Sequence, residues 1–154
     1  DDTERKITDA GLKNSSAQLL PLNSVILSSR APIGHLVINT KPMATNQGCK
    51  GIIPKPCLYY KFLFYYLYHN VELLNSLGTG ATFKELSAGK LKEISIPVPP
   101  LNEQKDIVAQ LDKIAVQIKA IEAICKQRST HIEELKKSVL QKAFNGELAG
   151  IGHD

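Results

Sequence analysis

Four histidines, His35, His69, His131 and His153, are the side chains best suited to moving a proton near neutral pH. They are scattered, and no H-E-x-x-H pair or other metal-ligand spacing joins them, so each reads as a surface or packing histidine. The three cysteines, Cys49, Cys57 and Cys125, are odd in number and lack C-x-x-C spacing. That argues against a disulfide framework or a zinc knuckle and fits a reducing cytoplasm. Gly78-Thr79-Gly80 begins like a dinucleotide loop, but Phe83 stands where the third glycine is needed, and no lysine follows a glycine loop in the Walker pattern. A metal-dependent nuclease needs clustered carboxylates, and none are found where the bases concentrate. The residues therefore predict a binding module rather than an enzyme, with no catalytic group, no metal and no cofactor.

What the sequence does concentrate is positive charge without negative. Residues 1–100 carry eleven bases and seven acids, whereas residues 101–154 carry eight of each. Between Asp9 and Glu72 there is no acid at all, yet Lys13, Arg30, Lys41, Lys50, Lys55 and Lys61 fall there. About six acids are expected in such a window at the chain's average frequency. A surface stripped of carboxylates is what a phosphate backbone requires, because each carboxylate would repel it. The competing reading is a chance gap on a solvated surface.

The elements that position these residues come in two kinds. With 43% apolar and 22% charged residues among 154, the chain is expected to fold. Val25-Ile26-Leu27, Leu36-Val37-Ile38 and Gly51-Ile52-Ile53 read as short strands, with Ala31-Pro32-Ile33-Gly34 as a turn between the first two. Leu58 to Leu77 reads as a helix, and seven of the nine aromatics lie between Tyr59 and Tyr68, a density that favours core over base stacking. Gly78 to Thr82 reads as a loop, Lys84 to Lys92 as a helical turn, and Ile94 to Val98 as a last strand stopped by Pro99-Pro100. The longest apolar run, Leu58 to Leu67, is too short to span a membrane and contains Lys61. No signal-peptide pattern opens the sequence, so Asn14-Ser15-Ser16 is not read as a glycosylation site, and a cytoplasmic location is expected.

From Asn102 to Phe144 there is no glycine or proline. Asn102 is expected to cap a helix that Asn145-Gly146 closes. Leu111, Ile118, Cys125, Ile132 and Val139 recur every seven residues, with Ile107, Ile114, Ile121, Arg128 and Leu135 as the companion set. This is a coiled-coil seam, and a helix of about 43 residues has a length of about 65 Å. Such a seam needs a partner beyond the first hundred residues. The other arrangement, two shorter helices folded back, has no turn signal to support it.

Three runs carry a resemblance: Ile7 to Ser16, Ile26-Leu27-Ser28-Ser29-Arg30-Ala31-Pro32-Ile33-Gly34, and Asn46 to Pro54. With Gly78 to Thr82 and Leu91 to Gln104, they resemble the target recognition domain of a type I restriction–modification specificity (S) subunit. The long helix ending Leu140 to Leu148 resembles that family's spacer helix. Cys49 departs from the pattern, standing where a bulky apolar residue is common. The resemblance implies an α+β fold, with a small mixed sheet-and-helix recognition domain followed by one long coiled-coil-forming helix. It places an incomplete recognition domain at residues 1–101, the spacer or dimerisation helix at 102–145 and a tail at 146–154. It further implies the C-terminal part of an S subunit, or a half-subunit. The expected partners are double-stranded DNA, modification (methyltransferase) subunits and a restriction subunit, none of whose active sites lies in this chain. In isolation the chain is expected to form an antiparallel homodimer through Leu111, Ile114, Ile118, Ile121, Cys125, Arg128, Ile132, Leu135 and Val139, with its two-fold axis near Cys125.

Each recognition domain of the family reads one half of a split target, and the helices fix the distance between halves. Arg, Asn and Gln side chains present two hydrogen bonds to one base, so Arg30, Asn46 and Gln47 are candidates for direct readout. Lys41, Lys50, Lys55 and Lys84 are candidates for phosphate contact, while Ser28, Ser29, Thr79 and Thr82 suit either role. Another DNA-binding protein with a dimerisation helix, a purely structural assembly protein and an RNA-binding module remain alternatives.

Overall fold

Val25-Ile26-Leu27 forms the start of a central strand because it can be buried on both faces. Strand β1 (Val25–Ser29) lies between β2 (Ile33–Ile38) and β3 (Cys49–Ile52) in an antiparallel sheet of order β2-β1-β3. These elements belong to a computed structural model that describes residues 6–80 and 84–148. Val25 faces Ile38 on one side and Ile52 on the other, and the β1–β2 register shifts between Leu27 and Ser29. Along β2, exposed His35 and Val37 alternate with half-buried Leu36 and Ile38, as a strand with one wet face must. Gly34 sits in β2 at φ +110°, and a Cβ there would come within 2.6 Å of Val71 Cγ1, so only glycine allows this approach.

Helices cover one face of the sheet. The segment expected as a single helix from Leu58 to Leu77 is two, α2 (Tyr60–His69) and α3 (Val71–Ser76). They part at Asn70, whose side-chain amide donates to the Tyr66 carbonyl at 2.7 Å, a local bond that competes with helix propagation. Leu63, Leu67 and Leu74 from these helices pack with Val25, Leu27, Ile33 and Leu86 to form the core. The aromatic run serves that packing: Phe62 is buried and Tyr59, Tyr60, Phe64, Tyr65 and Tyr66 are half-buried, while Tyr68 stays exposed.

Two short helices complete the domain. α1 (Asp9–Lys13) is capped by Thr8, whose hydroxyl accepts from Gly11 N, and α4 (Ala88–Lys92) by Ser87, whose hydroxyl accepts from Lys90 N. The expected strand at Ile94 to Val98 does not form. Its alternation is real, because Ile94 and Ile96 pack on the core while Ser95 and Pro97 are exposed. Prolines 97, 99 and 100 have no N–H to give a ladder, and the Ser95 carbonyl accepts instead from the Tyr66 hydroxyl at 2.8 Å.

The last helix, α5 (Leu101–Phe144), runs 44 residues. Its first intrahelical bond is from Gln104 N to the Pro100 carbonyl, so Pro100 occupies the cap position and Asn102, expected there, lies inside the first turn. The far end closes as expected at Gly146, which has φ +79°. Gly146 N donates to the Ala143 carbonyl and Glu147 N to the Lys142 carbonyl, the paired bonds of a Schellman cap. The chain divides into two units, Asp1–Ala109 and Gln110–Asp154, so the first turns of α5 belong with the sheet domain. Among the described residues no helix is long and apolar enough to cross a membrane.

Candidate nucleic-acid interface

The C-terminal end of β1 gathers three loops by backbone bonds. Ser29 N donates to the Gly48 carbonyl at 2.8 Å, and the Ser29 carbonyl accepts from Leu86 N at 2.8 Å. This places Arg30 directly opposite Glu85, which in turn pairs with Thr79 through two backbone bonds of 2.9 and 3.0 Å. The Asn46–Gly48 turn is held by Asn46 Oδ1, which accepts from Gly48 N at 2.9 Å. A Cβ on Gly48 would lie 3.1 Å from Arg30 Nε and 3.2 Å from Asn46 Oδ1, so the bare glycine lets the Arg30 and Asn46 side chains close over it.

Lys50 completes the cluster. Its ammonium donates to the Gln47 carbonyl at 3.2 Å and lies 3.6 Å from the Glu85 carboxylate. Arg30, Asn46, Gln47, Thr79 and Lys84 are all exposed, and Arg30, Ala31, Lys84 and Glu85 line a cleft of about 310 Å³. The surface is thus a set of donors on rigid turns, with three cations around one carboxylate. It can present hydrogen bonds to base edges and positive charge to phosphates.

The structure divides the sequence candidates. Arg30, Asn46, Gln47, Lys50, Thr79 and Lys84 come together at one end of β1. Lys41 and Lys55 do not, because they follow Ile38 and Ile52, the partners of Val25 at the strand's other end. Both serine candidates are tied inward by their hydroxyls. Ser29 is fully buried and its hydroxyl donates to the Gly48 carbonyl at 3.1 Å. The half-buried Ser28 hydroxyl donates to the Pro32 carbonyl and accepts from His35 N, each at 2.8 Å, so it holds the β1–β2 turn. Thr82 lies outside the described residues.

Two residues were not foreseen. Glu85 lies beyond the acid-free window, and only the long-range pairing with Arg30 brings it among the bases. Gln104 reads as helix surface in the sequence but is fully buried. Its Nε2 donates to the Cys57 and Pro99 carbonyls at 2.9 and 2.7 Å, and its Oε1 accepts from Tyr59 N at 2.8 Å. The sequence signal for it was the preceding Pro99-Pro100, which puts that carbonyl within reach of the first turn.

The seam of α5 carries a different surface. Leu111 is half-buried, whereas Ile114, Ile118, Ile121, Cys125, Arg128, Ile132, Leu135 and Val139 are exposed. Among the described residues no three His, Cys, Asp or Glu side chains converge to hold a metal ion. A cleft of about 760 Å³ runs past Leu20, Ile52, Leu63, Leu67, Ile94 and Ile96, and its lining is mostly apolar.

A family model described as type I restriction modification DNA specificity domain matches residues 1–137. The type I restriction enzyme MjaIX specificity subunit of Methanocaldococcus jannaschii is 34% identical over 140 residues, which are 90% of this chain and 31% of that protein. A chain solved to explain complex assembly and conformational transition of the type I R-M system aligns with a TM-score of 0.75 at 29% identity, covering 82% of this chain and 32% of the other. The HsdS subunit from Thermoanaerobacter tengcongensis aligns at 0.63 and 29% identity, covering 83% and 31%. The chain therefore spans about a third of the length of the relatives it matches.

Proposed function

Because the chain belongs to the type I restriction–modification DNA specificity family, we propose that it is a non-catalytic, sequence-reading component that recognises one half of a split DNA target. The observation that carries this reading is the convergence of Arg30, Asn46, Gln47, Thr79 and Lys84 on turns pinned to the end of β1. Backbone-anchored turns hold side chains in fixed directions, which a base-reading surface requires. Arg30 and the Asn46–Gln47 turn face base edges, and Lys84 and Lys50 position the surface on the phosphates. The long helix serves as a spacer of fixed rise per residue. Its exposed seam pairs with a second spacer helix, or with a second copy of this chain, in antiparallel orientation. Modification subunits and a restriction subunit are the partners this role implies.

The test is anisotropy titration of the chain with cognate and random duplexes over a range of salt. Arg30→Ala is expected to weaken cognate binding by about 1–3 kcal/mol more than random binding. Lys84→Ala is expected to weaken both alike and to lower the salt slope by about one. Equal affinity of wild type and Arg30→Ala for the cognate duplex removes Arg30 from the reading surface.

A further inference from the structure

A carboxylate in the middle of a phosphate-facing surface is an electrostatic cost unless it meets a donor of its own. Glu85 is such a group. Its side chain is 46% exposed, and the nearest cation, Lys50 Nζ, stands at 3.6 Å, outside hydrogen-bond distance. Both carboxylate oxygens therefore keep lone pairs for a ligand. Lys50 holds the charge in place while its own proton goes to the Gln47 carbonyl.

We propose that Glu85 and Arg30 together read one C·G base pair in the major groove, Glu85 accepting from the cytosine amino group and Arg30 donating to guanine O6 and N7. The inference rests on the DNA-reading proposal above and goes further by naming the base pair. Arg30 and Glu85 are directly opposed across an antiparallel bridge. Opposed residues share a face, with Cβ atoms about 4.5–5.5 Å apart, so two side chains of opposite character reach out side by side. A C·G pair offers the matching pattern on its major-groove edge, two acceptors on guanine beside one donor on cytosine. Adenine fits less well, because its N7 acceptor would face the carboxylate beside the amino group. Among the loop amides, Asn46 Oδ1 is already engaged by the Gly48 N–H.

The experiment selects preferred sites from a randomised duplex pool with the wild-type chain and with Glu85→Met, which keeps length and removes both acceptors. Wild type is expected to enrich cytosine at one position, and Glu85→Met to lose that preference by about 5- to 150-fold while the other positions hold. A second measurement leaves the protein intact: 2-pyrimidinone, which is cytosine without its amino group, replaces the enriched base. Wild type is expected to lose affinity on this duplex by about the same factor, and Glu85→Met to lose nothing further. Stronger binding of Glu85→Met to all duplexes, with a steeper salt slope, would mean that Glu85 only offsets Lys50, and overturns the proposal. Wild type indifferent to the missing amino group overturns it as well. Absence of any salt-dependent duplex binding by wild type defeats the DNA-reading proposal itself, and this one with it.

Discussion

The two units of the chain treat apolar side chains in opposite ways. In Asp1–Ala109, Leu27, Leu63, Leu67, Leu74 and Leu86 are all less than 2% exposed. In Gln110–Asp154, no described residue is buried, and Ile121, Ile132 and Leu135 are each at least 60% exposed. Both regions are rich in such residues, so composition does not separate them. What separates them is closure. A sheet covered by helices supplies its own opposite face, whereas a lone helix has none and must take one from another chain or segment. The first unit closes a core of its own, and the second leaves its apolar seam exposed.

The largest test of this contrast strikes the seam. Ile114→Asp with Ile121→Asp is expected to abolish association through α5, since each places a charge in the paired interface, where it is costly without a counterpart. The sheet domain should be untouched. Sedimentation reads the mass and urea unfolding reads the domain. An unchanged oligomeric mass would show that the seam is not the interface, and a shifted domain midpoint would show that the two units are not independent in this respect.

The next effect is smaller and points the other way. Leu27→Ala is expected to cost the first unit about 2–5 kcal/mol, because Leu27 is fully buried between β2, β3 and the helices. Ile132→Ala, made in a chain kept monomeric by the paired aspartates, is expected to change stability by no more than about 0.5 kcal/mol. Similar costs for the two substitutions would erase the distinction between a closed core and an open seam.

The difference also explains what the sequence could and could not tell. Local pattern was legible wherever local physics decides the outcome. The β-branched runs became β1, β2 and β3, and the seven-residue repeat with its Gly146 stop became α5. The break at Asn70 was not legible, because Asn70 is acceptable on a helix surface and only its side-chain bond to the Tyr66 carbonyl marks where α2 ends. The alternation of Ile94 to Val98 was read as a strand, but the same alternation arises in a segment laid over a core without a ladder. At the candidate interface, residue type singled out Arg30, Asn46 and Gln47, and all three are exposed. Ser28 and Ser29 turn their hydroxyls inward to the Pro32 and Gly48 carbonyls, and a hydroxyl's direction is set by partners that residue type alone does not name. Glu85 escaped for the same reason, its place being set by a bridge to Arg30.

The most finely resolved effect lies where the two modes meet. Gln104 belongs to the long helix but is buried in the sheet domain, and it saturates three backbone groups at once. Removing its amide takes one hydrogen bond each from the Cys57 and Pro99 carbonyls and from Tyr59 N. Gln104→Ala is expected to cost about 2–4 kcal/mol in urea unfolding, combining lost bonds with partial rehydration of those groups. Gln104→Glu separates bonding from volume. It fills the same space and still offers an acceptor to Tyr59 N, but it turns a second acceptor toward the Cys57 and Pro99 carbonyls. At neutral pH it is therefore expected to be no more stable than Gln104→Ala. Its deficit relative to wild type should shrink as the pH falls, because the protonated acid regains one donor and the folded state favours that form. If Gln104→Glu matched wild type at neutral pH, packing alone would hold the first turn of α5. The hydrogen-bonded joint would then have no part in setting where the spacer helix begins.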